Sequence, residues 1–256
     1  MRASYLTSDD VRLHVEIDGP DAAPTVVLVH GLAASIALGW RAPGVLERLG
    51  AAGLRTVAYD ARGHGRSEKP HEPERYGDGR MALDLVEITQ AFAPIDAVAV
   101  GYSMGASTVL LALTAGLDVR AAVIGATPPA VLRWTDEETV QRAAAIAALA
   151  GDESPEPAMR LWIDFLDAIG TDKEALAACL LGHLPLIEHW DRIVVPVVVA
   201  VGADDAGAAP AAELVARIAG AVPLALAGDH YSAVSDPAFT DSIVELARAS
   251  RGPAGA

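Results

Sequence analysis

Asp96-Ala97-Val98-Ala99-Val100-Gly101-Tyr102-Ser103-Met104-Gly105 is the stretch that decides how this chain folds. Residues 97–100 form a short apolar run of the kind that makes a buried strand, and a helical pattern extends from Ala106 to about Ala115. Between them a serine is flanked by glycine two positions on either side. A strand that passes into a helix through so sharp a turn forces strained backbone angles on the serine. Side chains at the flanking positions would collide, so both are glycine. Such an elbow pushes the hydroxyl out at the top of the sheet and makes Ser103 a candidate nucleophile. In a chain with 23 glycines the string arises by chance, so its weight comes from the segments around it.

Upstream, Thr25-Val26-Val27-Leu28-Val29 ends in His30-Gly31-Leu32. Downstream, Val197-Val198-Val199-Ala200-Val201 ends in Gly202-Ala203-Asp204-Asp205, and Leu224-Ala225-Leu226-Ala227 leads into Gly228-Asp229-His230. A serine, an acid and a histidine thus follow one another, each just beyond a hydrophobic strand. Serine alone is a poor nucleophile and needs a base, which in turn needs an orienting group. Of seven histidines, His230 is placed late, on a loop between a strand and the closing helical segment 237–248. His14 alternates along an N-terminal strand, His71 lies in a proline-rich loop, and His30 and His64 sit in glycine-rich turns where the ring bonds backbone. His183 and His189 flank the end of a helical stretch and are read as structural, with contact to a substrate the alternative. His230 is the expected base.

The orienting acid belongs after one of two strands that follow the elbow. The first ends at Gly125-Ala126-Thr127-Pro128, with no carboxylate before Asp136; the second ends at Asp204-Asp205. The spacing Gly-x-x-Asp points to Asp205, with Asp204 the alternative and otherwise a turn-former. A tetrahedral intermediate needs donors aimed at its oxyanion. The N–H of Met104, next to the nucleophile, is one; Leu32 N–H is the expected second, with Ala33 the alternative.

Segments 4–7 and 12–17 alternate and read as an antiparallel hairpin at a sheet edge. Beyond them, short strand-like runs at 25–29, 55–59, 97–100, 121–124, 195–201 and 223–227 alternate with helical patterns. This predicts an α/β fold with a mostly parallel eight-stranded sheet covered by helices on both faces. From about 128 to 191 the strand signal disappears. Thr135-Asp136-Glu137-Glu138 and Thr171-Asp172-Lys173-Glu174 match capping boxes, and Ser154-Pro155-Glu156 offers an N-cap followed by proline. The expected organisation is a core of residues 1–127 and 192–256, with a small helical cap, 128–191, over the strand ends where ligands bind. Trp134, Trp162, Phe165 and Trp190 lie in or beside the cap as candidate pocket residues, the alternative being that they anchor it to the core. The tail from Ser250 is expected to fray.

With 256 residues and 52% hydrophobic composition the chain can bury a sizeable core. A net charge of −15 without a basic run argues against nucleic acid or an anionic membrane as partner. The single cysteine, Cys179, excludes an internal disulfide and fits a reducing, cytoplasmic setting, where it packs in the core. No signal-peptide pattern and no membrane-length apolar run is read. No histidine pair or histidine–carboxylate cluster has metal-ligand spacing, so no metal or cofactor is expected.

Together, His30-Gly31, Asp60-Ala61-Arg62-Gly63-His64-Gly65-Arg66-Ser67, Gly101–Gly105, Gly202-x-x-Asp205, and Gly228-Asp229-His230 with Asp236-Pro237-x-Phe239 resemble the α/β-hydrolase superfamily. The likeness is to its small cap-bearing members, which act as carboxylesterases, lactonases and cofactor-free perhydrolases, and it spans nearly the whole chain. It implies a Ser103–His230–Asp205 triad acting on a small ester or lactone. Carbon–carbon bond hydrolysis, perhydrolysis, acyl transfer and ligand reception are alternatives on the same fold. Aspartate-nucleophile relatives that open epoxides are set aside because position 103 is serine. In the Asp60–Ser67 segment, Arg62, His64 and Arg66 are read as structural, binding carbonyls and carboxylates beneath the site. Two positions depart from the family pattern. Ala106 stands where many relatives have a second glycine. Asp229 stands where glycine is commoner; near the ring it is expected to raise the pKa of His230.

Overall fold

The computed structural model describes residues 1–77, 79–133, 135–151, 155–182 and 186–249. Eight strands form one sheet in the order β1-β2-β4-β3-β5-β6-β7-β8. They are β1 (Arg2–Leu6), β2 (Arg12–Asp18), β3 (Thr25–Val29), β4 (Arg55–Tyr59), β5 (Val98–Tyr102), β6 (Ala121–Gly125), β7 (Val197–Gly202) and β8 (Val222–Leu226). β1 pairs antiparallel with β2, and β2 antiparallel with β4; all other neighbours are parallel. The expected edge hairpin and parallel body are therefore both present.

Parallel strands are buried on both faces, which is why their sequences read as unbroken apolar runs. All five residues of β3 are buried. Because side chains alternate along a strand, Val27 and Val29 join one core layer, whereas Val26 and Leu28 join the other. The first layer is closed by α2 (Arg80–Phe92), α3 (Met104–Thr114) and α7 (Ala211–Arg217). The second is closed by a π-helical turn at Ile36–Arg41, α1 (Val45–Ala51) and α8 (Pro237–Arg248). Helix α8 starts where it should: Asp236 accepts Ala238 N–H at 2.9 Å, and Pro237 occupies the first helical position. Cys179, 1% exposed, lies in the first layer as expected; burial pushes its thiol up to about 12, leaving an inert core residue.

Between β6 and β7 the described residues hold three α-helices, α4 (Asp136–Leu149), α5 (Pro157–Ala168) and α6 (Lys173–Gly182). Thr135 heads α4 with the expected reciprocal box: Glu138 N–H donates to its hydroxyl at 3.1 Å and Thr135 N–H to the Glu138 carboxylate at 2.7 Å. The other two starts differ from expectation. Asp172, one residue later than Thr171, caps α6 by accepting Ala175 N–H at 2.9 Å. A carboxylate competes well for that donor, and Glu174 is free to turn toward His71 instead, 3.3 Å away. Helix α5 begins at Pro157 after Glu156, and Ser154 lies outside the described residues. No helix among the described residues is long and apolar enough to cross a membrane.

Candidate active site

The elbow works as its sequence demands. Ser103 has φ 54° and ψ −118°, a conformation that costs a non-glycine residue about 1–3 kcal/mol. The surroundings enforce it. Ser103 N–H donates to Gly125 O at 2.8 Å, and the Ser103 carbonyl accepts Ala106 N–H at 2.9 Å, starting α3. A Cβ on Gly105 would fall 2.0 Å from Val29 O, and one on Gly101 2.2 Å from Gly105 O. Both glycines are required because strand and helix backbones touch there. Position 106 is a fully buried alanine in the core, so the small side chain is accommodated.

Ser103, His230 and Asp205 emerge beyond β5, β8 and β7 and meet at one sheet edge. His230 Nε2 lies 3.0 Å from Ser103 Oγ, and His230 Nδ1 lies 2.9 Å from Asp205 Oδ2. The Asp205 side chain is 1% exposed and that of His230 32%, so the acid is sealed and the ring borders solvent. A carboxylate can only accept, so Nδ1 carries the proton and Nε2 faces the serine hydroxyl with its lone pair. The other Asp205 oxygen accepts Gly207 N–H at 3.1 Å. Asp204 is exposed, and its N–H closes onto Gly228 O at 3.0 Å: it forms the turn and is not bonded to the ring.

Two anchors hold the histidine loop. Tyr102, the residue before the serine, donates its phenol to His230 O at 3.0 Å. Burial, with Asp205 and Asp229 acting the same way, pushes that phenol up, so it stays a donor. Asp229 makes its hydrogen bonds within the loop itself. Its Oδ1 accepts Tyr231 N–H at 3.1 Å, Ser232 N–H at 2.9 Å and the Ser232 hydroxyl at 2.6 Å. The Ser232 hydroxyl bond, then the backbone N–H groups, hold its carboxyl below the usual range. This carboxylate closes the turn that carries His230 and makes no hydrogen bond to the ring. Neither Tyr102 nor this role of Asp229 was foreseen; the signals available were a hydroxyl-bearing residue inside the G-x-S string and a serine three residues after Asp229.

The loop after β3 lies against the nucleophile. A Cβ on Gly31 would sit 3.2 Å from Ser103 Cβ and 3.8 Å from Oγ. Ala33 has φ 58°, and Ala34 N–H donates to Gly31 O at 3.2 Å. Leu32 N–H and Met104 N–H have no acceptor among the described residues.

The aromatic candidates separate. Trp162 and Leu32 both pack against a buried cluster of Ala33, Leu149, Leu166 and Leu176 that joins α4–α6 to the loop after β3. Phe165 is 47% exposed, whereas Trp190 is 8% exposed and belongs to the main core. Trp134 and His183 lie outside the described residues, and His189 is exposed. An open depression of about 410 Å³ borders His230, lined by Asp204, Asp205, Ala206, Gly207, Asp229 and Tyr231. A cavity of about 250 Å³ near Arg2 and Glu16 holds none of the three site residues.

Beneath the site, Arg62 is fully buried and bonds both Asp84 oxygens at 2.7 Å and both Asp9 oxygens at 2.9 Å. His64 Nδ1 lies 2.9 Å from Arg62 O, and the Arg66 guanidinium is 3.7 Å from Glu16. The segment binds carbonyls and carboxylates, as expected. Asp60 braces it, accepting Ile36 N–H at 2.7 Å and Arg66 N–H at 2.8 Å.

A sheet of this order, with a strained serine and its two partners at the strand ends, defines an α/β-hydrolase fold. The alpha/beta hydrolase family matches residues 26–241, and the chain belongs to that family. Over 126 residues it is 36% identical to epoxide hydrolase A of Mycobacterium tuberculosis, covering 49% of this chain and 38% of that protein. The chain spans little more than a third of the length of the curated relatives it matches. Two solved structures align over almost their full length. A hydrolase from Pseudomonas aeruginosa is 26% identical with TM-score 0.76, covering 97% of this chain and 98% of that one. The enol-lactonase of Burkholderia xenovorans is 27% identical with TM-score 0.71, covering 95% and 99%.

Proposed function

We propose that this chain is a serine hydrolase that cleaves a small carboxylic ester or lactone through an acyl-enzyme. The observation that carries the reading is the relay from Asp205 through His230 to Ser103, with both contacts at hydrogen-bond distance, 2.9 and 3.0 Å. Asp205 holds the imidazole in the tautomer that leaves Nε2 free to take the hydroxyl proton. Ser103 Oγ attacks the carbonyl carbon, and Leu32 and Met104 N–H groups receive the oxyanion. Imidazolium then protonates the leaving alkoxide, which departs or, for a lactone, stays tethered. Water activated by the same Nε2 releases the acid. Residues 128–191 serve as the cap, with Trp162, which shares a hydrophobic cluster with the loop after β3, as the candidate wall on the acyl side.

The likeness to an enol-lactonase along nearly the whole chain supports ring esters as well as open ones. Similarity to epoxide hydrolase A spans under half of this chain, and position 103 is serine, the nucleophile of acyl transfer. The test is pre-steady-state hydrolysis of p-nitrophenyl acetate and butyrate by wild type and Ser103→Ala. A burst near one equivalent per chain, absent in the variant, is expected. Absence of any burst in the wild type would refute the ester reading and direct the search to carbon–carbon cleavage, perhydrolysis or ligand reception.

A further inference from the structure

The antiparallel end of the sheet carries a cavity beside α1, and strand register decides which residues stand in it. Arg2 of β1 pairs with Glu16 of β2, and Glu16 pairs with Ala58 of β4; one step along, Asp18 pairs with Thr56. Side chains paired across strands share a face. Here it is the face of the second core layer, because Ala58 belongs to that layer while Val15, Ile17, Val57 and Tyr59 belong to the first. Leu46 of α1 and Arg41 of the π-helical turn line the same space, which encloses about 250 Å³. In the sheet, β4 and β3 separate β2 from β5, so the cavity lies about 10–15 Å across the sheet from Ser103.

Three guanidiniums converge at this point on the Glu16 carboxylate. Arg41 bonds it, Arg2 Nε lies 3.3 Å away and Arg66 Nη1 3.7 Å away. His14 Nε2 approaches the same carboxylate at 3.3 Å. Burial works to raise the Glu16 pKa, but the His14 bond, then Arg41 and Arg2, hold the carboxyl below its usual range. Glu16 is therefore a fixed anion that gathers the arginines against their mutual repulsion. Each guanidinium carries five N–H donors, and apart from the Arg41 bond none of the three side chains donates a hydrogen bond among the described residues. Asp18 is the other carboxylate lining the space, and it accepts Gly19 N–H at 3.0 Å. Arg2, Arg41 and Arg66 thus stand against Glu16 and Asp18, a local excess of positive charge in a chain of net charge −15.

Thr56 gives an independent sign of a ligand. It is only 4% exposed and lines the cavity, yet its hydroxyl has no hydrogen-bond partner among the described residues. Burying a hydroxyl without a partner is costly, and the cavity is the space from which a partner can come.

We propose that this cavity binds a small oxyanion, a carboxylate or phosphate group, held by the open guanidinium edges of Arg2 and Arg41 and by the Thr56 hydroxyl, with Arg66 adding positive charge beside Glu16. Guanidinium forks suit either group. Leu46 and Ala58 give the space an apolar side, which favours a carboxylate with a short alkyl chain. The assignment is independent of the reaction at Ser103.

The test titrates acetate, butyrate and inorganic phosphate into the ¹⁵N-labelled intact chain at constant ionic strength, following backbone amides and arginine Nε–H signals. Saturable shifts at Arg2, Glu16, Arg41 and Thr56 are expected, with a Kd of about 0.1–10 mM and butyrate at least about threefold tighter than acetate. Phosphate tighter than both acids would keep the oxyanion site and identify a phosphorylated ligand as its source. Arg41→Gln should weaken binding about fivefold. Thr56→Val keeps the side-chain shape and should weaken it about threefold, which separates a built site from diffuse attraction to arginines. Wild-type affinity in a folded Thr56→Val would overturn the proposal. So would a wild-type titration with no saturation by about 50 mM, or with shifts confined to the Ser103 loop, and neither result depends on a variant that folds.

Discussion

Tyr102→Phe removes one oxygen and keeps the ring. The ring packs edge-on against Phe239, with centroids 5.8 Å apart, and the residue is 7% exposed, so packing should survive. What is lost is the 3.0 Å bond from the phenol to His230 O. A neutral hydrogen bond of this kind contributes a net 0.5–1.5 kcal/mol on the order of magnitude. The His230 loop borders solvent, so water can reach the freed carbonyl and the lower half of that range applies. The three bonds to Asp229 Oδ1 still close the turn. If half or more of the loss is expressed as misplacement of His230 in the transition state, kcat falls about 1.5–5-fold, since about 1.4 kcal/mol is a factor of ten. The melting temperature should drop by about 2–4 °C per kcal/mol for a chain of this size. Because the phenol is pushed up and remains protonated, the ratio of wild-type to variant rates should stay flat between about pH 6 and 9. Steady-state hydrolysis of p-nitrophenyl acetate across that range, with thermal melts, reads all three quantities. An unchanged kcat with the full stability loss would show that the phenol only holds the fold. A loss beyond about a hundredfold would mean that it touches the reacting atoms and that the positional argument is wrong.

Glycines give a paired test. Gly105→Ala, with Cβ 2.0 Å from Val29 O, should yield no native protein by circular dichroism. Gly50→Ala, in α1 with nothing within 4 Å, should raise stability by about 0.5–1 kcal/mol in urea melts. Arg62→Ala strands two carboxylates, Asp84 fully within the core and Asp9 at its margin, and should cost about 3–5 kcal/mol; a urea-measured loss below about 1 kcal/mol would contradict the buried-network reading. His71 bonds Asp172 at 3.1 Å and approaches Glu174 at 3.3 Å, and chiefly the Asp172 bond raises its pKa. Its contribution is therefore full below its unfolded value of about 6.5 and is lost as pH rises through the raised folded value. The melting difference between wild type and His71→Gln should shrink toward alkaline pH, and a flat difference would show that the ion pair does nothing.

Much of the architecture could be read from local signals. The apolar runs at 25–29, 55–59 and 121–124 coincide with strands, because residues buried on both sheet faces leave no polar interruption. The elbow was legible for a related reason: backbone contact at 2.0–2.2 Å from a would-be Cβ leaves glycine no substitute. Helix starts were less legible. Thr171 and Asp172 are both competent caps, and the choice fell to Asp172 with Glu174 drawn to His71 on a distant loop. The aromatic residues were not sortable at all, since Trp162 by the Leu32 loop, Trp190 in the core and Phe165 at the surface have similar surroundings in sequence.

Sequence alone determined which groups could react and in what order they follow the strands, because strand, turn and glycine requirements act over a few neighbouring residues. Only the tertiary structure decided how those groups are held. Asp229 turned out to close a loop, Tyr102 to tether His230 across 128 positions, and His30 to join Ala61 to Gly31 through its two nitrogens. Hydrogen bonds between segments far apart in the chain depend on where whole elements pack, and no local pattern of residues encodes that distance.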